Sequence, residues 1–238
     1  MSTQTPSHLA RTPEQKFVLL FEAVKRSFLA AQELQRHLAA DLLSFEQDIL
    51  SGIEIGERAI SPLLAAISFV DFAHRFGSLV DSLPLLNKRA PEIRRLRSSL
   101  VVVEKARNHL QHLRGDLSSN DEINYALLGE LCWTNQNVVF LLSLTQPSSV
   151  ERASISFDVH NKRWTAKHRY IVKDVWVDFD PTLAEMRGAF EWISTKVTFG
   201  DPEFSSLTWG KTLAVACRLR IENQAGGPDT ALKSEISP

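Results

Sequence analysis

The first half of the chain carries apolar residues at the three- and four-residue spacing of amphipathic helices. This spacing begins at Phe17 and continues through Phe21, Val24 and Phe28. Before it, Thr12-Pro13-Glu14 has the residue types favoured at a helix N-cap, at its first position and in its first turn. The pattern therefore predicts a long helix from residue 12 to about Leu50. Residues 1–11 are polar, and we expect them to be disordered.

Two further helices are predicted after a break at Gly52 and Gly56. The segment 62–83, PLLAAISFVDFAHRFGSLVDSL, is apolar around most of its circumference, which is typical of a central, largely buried helix. Pro91 has the residue type favoured at the first position of a helix, and Gly115 the type favoured just after its end. We therefore predict a helix over 91–114.

The second half of the chain changes to short segments rich in β-branched and aromatic residues, separated by turn-like sequence. These segments predict an antiparallel β-meander, then a closing helix over 181–197 and a last strand near 211–221. The tail, 223–238, is predicted to be flexible. Helices followed by strands indicate an α+β fold, with a helical bundle over 12–122 and the meander within 123–222. The meander strands are predicted at 127–133, 138–144, 154–160 and 169–177.

The amino-acid composition gives little information about function. Apolar residues make up 44% of the chain, charged residues make up 23%, and the net charge is −1, which is typical of a soluble globular protein. The two isolated cysteines, Cys132 and Cys217, are expected to be buried thiols in a reducing cytoplasm. Because no apolar run is long enough to span a bilayer and the N-terminus lacks a signal sequence, we expect a cytoplasmic protein without membrane contact.

Charge is distributed unevenly along the chain, and the predicted helix 91–114 lies in the most basic segment. Between residues 85 and 115 there are eight cationic residues and only two acidic ones, Glu92 and Glu104. A basic surface of this kind would suit a phosphate backbone, but arginine and lysine also favour helices and often only solvate an exposed face. The basic residues that we select as candidate RNA contacts are Arg94, Arg95, Arg97, Lys105 and Arg114.

A helical plot of 91–114 places Arg107 at the edge of the apolar face. That face is predicted to contain Leu96, Leu100, Val102, Val103, Ala106, Leu110 and Leu113. Asn108 and His112 are four residues apart and therefore lie on one side of the helix, on its polar face. An Arg-x4-His spacing is weak evidence by itself, since Arg163 and His168 repeat it in strand-like sequence.

The combination of Arg107-Asn108-x-x-x-His112 with a long amphipathic helix resembles the HEPN superfamily, whose members are antiparallel helical bundles. The stretch 91-PEIRRLRSSLVVVEKARNHLQHLRGDL-117 is similar to the motif-bearing helix of that family, and 62–83 is similar to the helix before it. The strands and helix 181–197 resemble the small meander and closing helix of stand-alone bacterial members. The resemblance covers residues 55–200 loosely, and only Arg107, Asn108 and His112 carry the specific motif.

This resemblance implies a metal-independent endoribonuclease that acts as a homodimer and needs no cofactor. His112 would take the proton of an RNA 2′-hydroxyl, Arg107 would bind the phosphate, and Asn108 would orient the phosphate or the imidazole. In the family, two subunits bring their motif helices together across a twofold axis.

Two alternatives remain open at this point. Many HEPN-like chains are non-catalytic scaffolds, for instance one half of a toxin–antitoxin pair with a protein partner. Alternatively, the chain has no role with RNA and binds another ligand, with Trp133, Trp164, Trp176 and Trp192 either lining a surface or packing in the core. A metal site at Asp158, His160 and His168 is disfavoured because no further ligand lies nearby in sequence.

Overall fold

The computed structural model describes four helices and six strands within one compact unit. For 13–15, 113–119, 157, 158 and 163 it describes the backbone alone. The described residues are 13–84, 86–119, 126, 128–135, 138–144, 155, 157–158, 160–161 and 163–196. The N-terminal residues 1–11, Cys217, the predicted strand at 211–221 and the tail 223–238 lie outside them.

The first two helices confirm the elements predicted from the apolar spacing. Helix α1 spans Pro13–Leu50, and α2 spans Ile60–Ser82 after a 3-10 turn at Gly56–Ala59. The predicted break between them is confirmed, because Gly52 and Gly56 have φ values of 71° and 56°. Glycine adopts this left-handed conformation without the steric penalty of a Cβ atom, so α1 ends here.

Helix α3 spans Pro91–Ser119, and α4 spans Phe179–Lys196. The start of α3 is confirmed, but the predicted end at Gly115 is wrong, since the helix continues through this glycine to Ser119. Glycine inside a helix costs only about 1 kcal/mol relative to alanine, which neighbouring helix-forming residues can offset. The predicted helix over 181–197 is confirmed within two residues at each end.

The strands form an antiparallel sheet of four and a separate pair of two. The larger sheet has the order β2-β1-β5-β6, and β3 pairs with β4. The prediction of a simple meander is wrong in its order, because β5 returns to pair with β1. The strands are β1 Glu130–Asn135, β2 Val138–Ser143, β3 Phe157–Asp158, β4 Arg163–Trp164, β5 His168–Val172 and β6 Val175–Asp178.

The single strand predicted at 169–177 is also wrong, since the chain reverses in a hairpin between β5 and β6. Val172 pairs with Val175, so Lys173 and Asp174 form the two-residue turn. Lys173 has a φ of 57°, the left-handed conformation that such turns require. Valines on both sides of the turn continue the strand-like pattern, which hides the reversal in the sequence.

The helices and one face of the larger sheet share a hydrophobic core. Phe69 of α2 lies 4.5 Å from Phe179 at the start of α4, measured between ring centroids. Trp133 of β1 stacks on Phe140 of β2 at 5.1 Å, and both belong to the same core cluster as Phe69. The prediction of an α+β fold is therefore confirmed in its class, with the sheet packed against the helices.

Segment Gly56–Ser82 is long and apolar enough to cross a membrane on length and composition alone. The prediction that nothing in the chain meets this criterion is wrong. Eight residues of α2 are buried against the rest of the chain, among them Leu63, Phe69 and Phe76. This burial is compatible with the core helix of a soluble protein.

Gly129 provides a test of the junction that leads into β1. Its φ is 75°, and a Cβ atom placed there would lie 2.5 Å from the Tyr170 Oη, which donates a hydrogen bond to the Leu128 carbonyl oxygen at 2.6 Å. We expect Gly129→Ala to lower the free energy of unfolding by about 2–4 kcal/mol, through left-handed strain and this clash. Urea unfolding monitored by circular dichroism measures the change.

The matched control is Gly188→Ala in α4, where a Cβ atom would meet no neighbour within 4 Å. This variant should raise the free energy of unfolding by about 0.5–1 kcal/mol, because alanine is the better helix former. Equal stabilities for the two variants would contradict the described geometry of Gly129.

Candidate functional site

The motif helix α3 buries one face against α2, α4 and the sheet. Leu96, Val103 and Ala106 are fully buried, and Leu100 and Leu110 pack partly against the core, as predicted. The prediction that Val102 belongs to this face is wrong, since 37% of it is exposed. On a straight helix Val102 lies about 40° beyond Ala106, outside the arc that neighbouring elements cover.

Arg107 lies where α3 meets α2, at the edge of the buried face as predicted. Its Nε donates a hydrogen bond to Asp71 Oδ1 of α2 at 3.1 Å, and 27% of its side chain is exposed. Among the described residues, this is the guanidinium's one hydrogen bond. Asp71 therefore orients Arg107 through Nε, and the two terminal nitrogens remain available. At this exposure the ion pair contributes at most about 1 kcal/mol to stability.

His74 lies one turn after Asp71 on α2 and belongs to the same group of charges. Burial lowers the pKa of His74 below its ordinary value, the positive charge of Arg107 lowers it further, and Glu104 and Asp71 oppose this shift without cancelling it. His74 and Glu104 also line a groove of about 500 Å³ between α2 and α3. The imidazole of His74 is therefore held towards its neutral form beside Arg107.

Asp71 and His74 were not among the residues predicted from the sequence, because the Arg-Asn-x-x-x-His motif lies entirely on α3. A signal for them was present. They are polar residues three apart on a helix that is apolar around most of its circumference, and this spacing places them on one side of it. That side of α2 meets α3, where Asp71 pairs with Arg107 and His74 lines a groove together with Glu104.

Asn108 and His112 lie on the opposite side of α3, in contact with solvent. They belong to a row of six residues that are all exposed, which we call the α3 stripe. On a straight helix these residues fall within an arc of about 80° and extend along roughly 27 Å. The α3 stripe consists of Arg94, Ser98, Val101, Lys105, Asn108 and His112.

The α3 stripe has a border on each flank. On one flank, Arg97 binds Asp81 of α2 through Nε at 2.9 Å and Nη2 at 2.6 Å. On the other flank, Arg95 lies 3.8 Å from Glu185 of α4. Farther along that flank, His109 Nε2 lies 3.6 Å from Asp174 Oδ1 in the turn between β5 and β6.

The three motif residues are therefore divided between two environments within one chain. Arg107 and His112 are five positions apart, which separates them by about 140° around α3. Arg107 is held beside Asp71, whereas the side chains of Asn108 and His112 face solvent. Bringing both groups to one phosphate requires the long arginine side chain to reach across, or a second chain to complete the site.

The candidate RNA contacts are divided as well. Arg94 and Arg95 are exposed and line a groove of about 620 Å³ between α3 and α4, and Lys105 is exposed on the α3 stripe. Arg97 is instead engaged by Asp81, and the side chain of Arg114 lies outside the described residues. Among the four predicted residues whose side chains are described, Arg94 and Lys105 have no ion pair, Arg95 lies near Glu185, and Arg97 is bound by Asp81.

The second Arg-x4-His match lies in a different kind of environment. His168 is buried in β5, and its Nδ1 lies 3.4 Å from Asp180 Oδ2, while the side chain of Arg163 lies outside the described residues. Within the described part of the chain, no three histidine, cysteine or acidic side chains are grouped to bind a metal. Cys132 is buried as predicted, and burial raises the pKa of its thiol to about 11.

The coupling of His74 to Arg107 predicts a measurable titration. We expect the pKa of His74 to lie below 6.5, to rise in Arg107→Gln and to fall further in Asp71→Asn, because these changes remove a positive and a negative neighbour. Two-dimensional NMR of the imidazole protons between pH 4 and 8 gives these values. Arg94→Gln, on the α3 stripe, is the control and should leave the His74 titration unchanged. A His74 pKa that is the same in all four proteins would contradict the described charge cluster.

Comparison of the chain with models of known protein families, with curated proteins and with solved structures found no match. The resemblance to the HEPN superfamily therefore rests on the residues of α3 and on the helix that precedes it.

Proposed function

We propose that this chain is a metal-independent endoribonuclease of the HEPN type, active as a homodimer. The observation that carries the proposal is the state of Arg107. Its guanidinium is half-buried, is oriented by Asp71 through Nε, and keeps both terminal nitrogens available. It belongs to the same helix, α3, that presents Asn108 and His112 to solvent. An arginine fixed in this way can bind two oxygens of one phosphate with little loss of side-chain entropy.

The proposed reaction uses RNA's own hydroxyl as the nucleophile. His112 of one chain takes the proton of a 2′-hydroxyl, and the 2′-oxygen forms a bond to phosphorus while the bond from phosphorus to the 5′-oxygen breaks. A second acid protonates the leaving 5′-oxygen. Arg107 stabilises the negative charge that gathers on the non-bridging oxygens. The products are a 2′,3′-cyclic phosphate and a 5′-hydroxyl.

A homodimer would supply the acid that one chain lacks. A twofold axis across the α3 stripe would place a second His112 in the same cleft as the acid. Val101 lies on the stripe and is 49% exposed, and the adjacent Val102 is 37% exposed. These two valines give the stripe an apolar patch between Arg94 and Lys105, where two copies of α3 could make contact.

The second candidate is a non-catalytic HEPN-like scaffold that binds a protein partner, such as the other half of a toxin–antitoxin pair. The ion pairs of Arg107 with Asp71 and of Arg97 with Asp81 favour it, because both join α3 to α2 and thereby have a structural role. In this case the α3 stripe would be a protein-binding surface, and His112 would have no part in chemistry.

Cleavage assays distinguish the two candidates. In EDTA, the wild-type protein should cleave single-stranded RNA to 2′,3′-cyclic phosphate ends, and His112→Ala should lower the rate by about 10²–10⁴, the usual contribution of a general base. Arg107→Gln should lower it by a similar factor through lost charge stabilisation. The control is His109→Ala, which changes a neighbouring histidine on the same helix and should keep most of the activity.

Circular dichroism would verify that each variant is folded. Cleavage by His112→Ala at the wild-type rate, or no cleavage by the wild type on a panel of RNAs of varied sequence, would refute the nuclease proposal and leave the scaffold.

The dimer is tested separately by sedimentation velocity. At tens of micromolar the wild-type protein should sediment as a dimer, and Val101→Glu should shift it to a monomer, because two like charges would meet near the twofold axis. Cleavage should be lost with the dimer. Val139→Glu, at a valine of β2 that is 41% exposed, is the matched control and should remain dimeric. A monomeric wild-type protein would rule out the composite site.

A further inference from the structure

Besides the two grooves that border α3, a separate cavity lies between α1 and the sheet, and we call it the second cavity. Its volume is about 270 Å³. One wall comes from successive turns of α1, and the other from the end of β1 and the start of β5. Its lining includes Ala39, Leu42 and Glu46 from α1, and Trp133, Lys167 and His168 from the sheet side.

Glu46 is the acidic group of this cavity, and it is held in a fixed position. The residue is 8% exposed. Its Oε1 accepts a hydrogen bond from Trp133 Nε1 at 3.1 Å, and its Oε2 accepts one from Asn135 Nδ2. Both donors lie on β1 and are neutral. Each carboxylate oxygen therefore retains acceptor capacity for a further donor from the cavity.

The charge of Glu46 has no cationic partner among the described residues. Lys167 also lines the cavity, but it is exposed to solvent and forms no ion pair with Glu46 in the described structure. A cation that entered the cavity could therefore pair with a carboxylate that no described cationic side chain already neutralises.

The remaining walls are apolar or rigid. Trp133 is 1% exposed and is fixed by its stacking on Phe140, and Leu42 is equally buried. His168 is the cross-strand partner of Trp133, so both side chains project from the sheet face that α1 covers. The backbone N–H of His168 donates a hydrogen bond to Asp180 Oδ2 at 3.2 Å. Gln35 Nε2 in turn donates one to Asp180 Oδ1 at 2.6 Å. The cavity is therefore preformed.

We propose that this cavity binds a small organic molecule through an ammonium group, with Glu46 as the counter-ion. The apolar part of the ligand lies against Ala39, Leu42 and Trp133. An ammonium group can donate to the oxygens of Glu46 that already accept from Trp133 and Asn135, which gives a charge-assisted hydrogen bond at a carboxylate that is itself buried. This proposal is independent of the α3 stripe and of RNA cleavage.

A matched pair of probes tests the role of charge. Calorimetric titration of the full chain with 3-methylbutylammonium chloride should show saturable binding. The neutral analogue 3-methylbutan-1-ol should bind at least about tenfold more weakly, because it lacks the charge that pairs with Glu46. Glu46→Gln keeps the shape of the side chain and should weaken binding of the ammonium probe by a similar factor. Glu191→Gln, on the exposed face of α4, should bind it like the wild type.

A second variant tests the cavity itself and covers the case in which Glu46→Gln does not fold. Ala39→Leu fills part of the space with a good helix former, leaves every charge in place, and should abolish binding of the ammonium probe. The proposal is overturned if the wild type does not bind the ammonium, or if the alcohol binds as well. It is also overturned if a folded Glu46→Gln or Ala39→Leu protein binds like the wild type. Glu46 would then serve only to tie α1 to β1.

Discussion

Burial of α2 is the constraint on which the rest of this structure depends. Phe69, Phe76 and Leu63 are fully buried, so the face of α2 that carries them must be covered by α1, α3, α4 and the sheet. Enclosing it removes enough apolar surface from water to outweigh the cost of ordering several separate elements around it. The same enclosure explains why the polar residues of α2 matter. Asp71 and His74 lie at its edge, where Asp71 pairs with Arg107 of α3 and His74 is in the field of the same arginine.

The sequence predicted the helices well because their signals are local and repeated. The spacing of phenylalanines in α1 and the prolines at the starts of α1 and α3 each fix an element without reference to the rest of the chain. The strands were predicted less well, because pairing is decided between distant segments. Nothing near β5 indicates that it pairs with β1, and the valines beside Lys173 and Asp174 conceal the hairpin. The end of α3 was misplaced at Gly115, where a weak local preference gave way to the helix around it.

The candidate site was also predicted only in part from the sequence. The position of Arg107 at the edge of the buried face follows from helical periodicity alone, and the structure agrees with it. Its partner Asp71 is 36 residues earlier in the chain, and a motif on one helix carries no information about that distance. The same holds for Glu46 and Trp133, which line the second cavity and form a hydrogen bond although 87 residues separate them in the chain. Sequence patterns identified side chains, and tertiary packing decided which of them meet.

The α3 stripe is a long and narrow surface with charged contacts on both flanks. Arg97 with Asp81 closes one flank, while the contacts of Arg95 with Glu185 and of His109 with Asp174 close the other. A molecule that crosses the helix axis at a right angle touches about one turn before it reaches either border. An extended polymer that runs parallel to the axis passes Lys105, Asn108 and His112 in succession. The exposed side chains of the stripe are therefore arranged along the helix axis rather than around it.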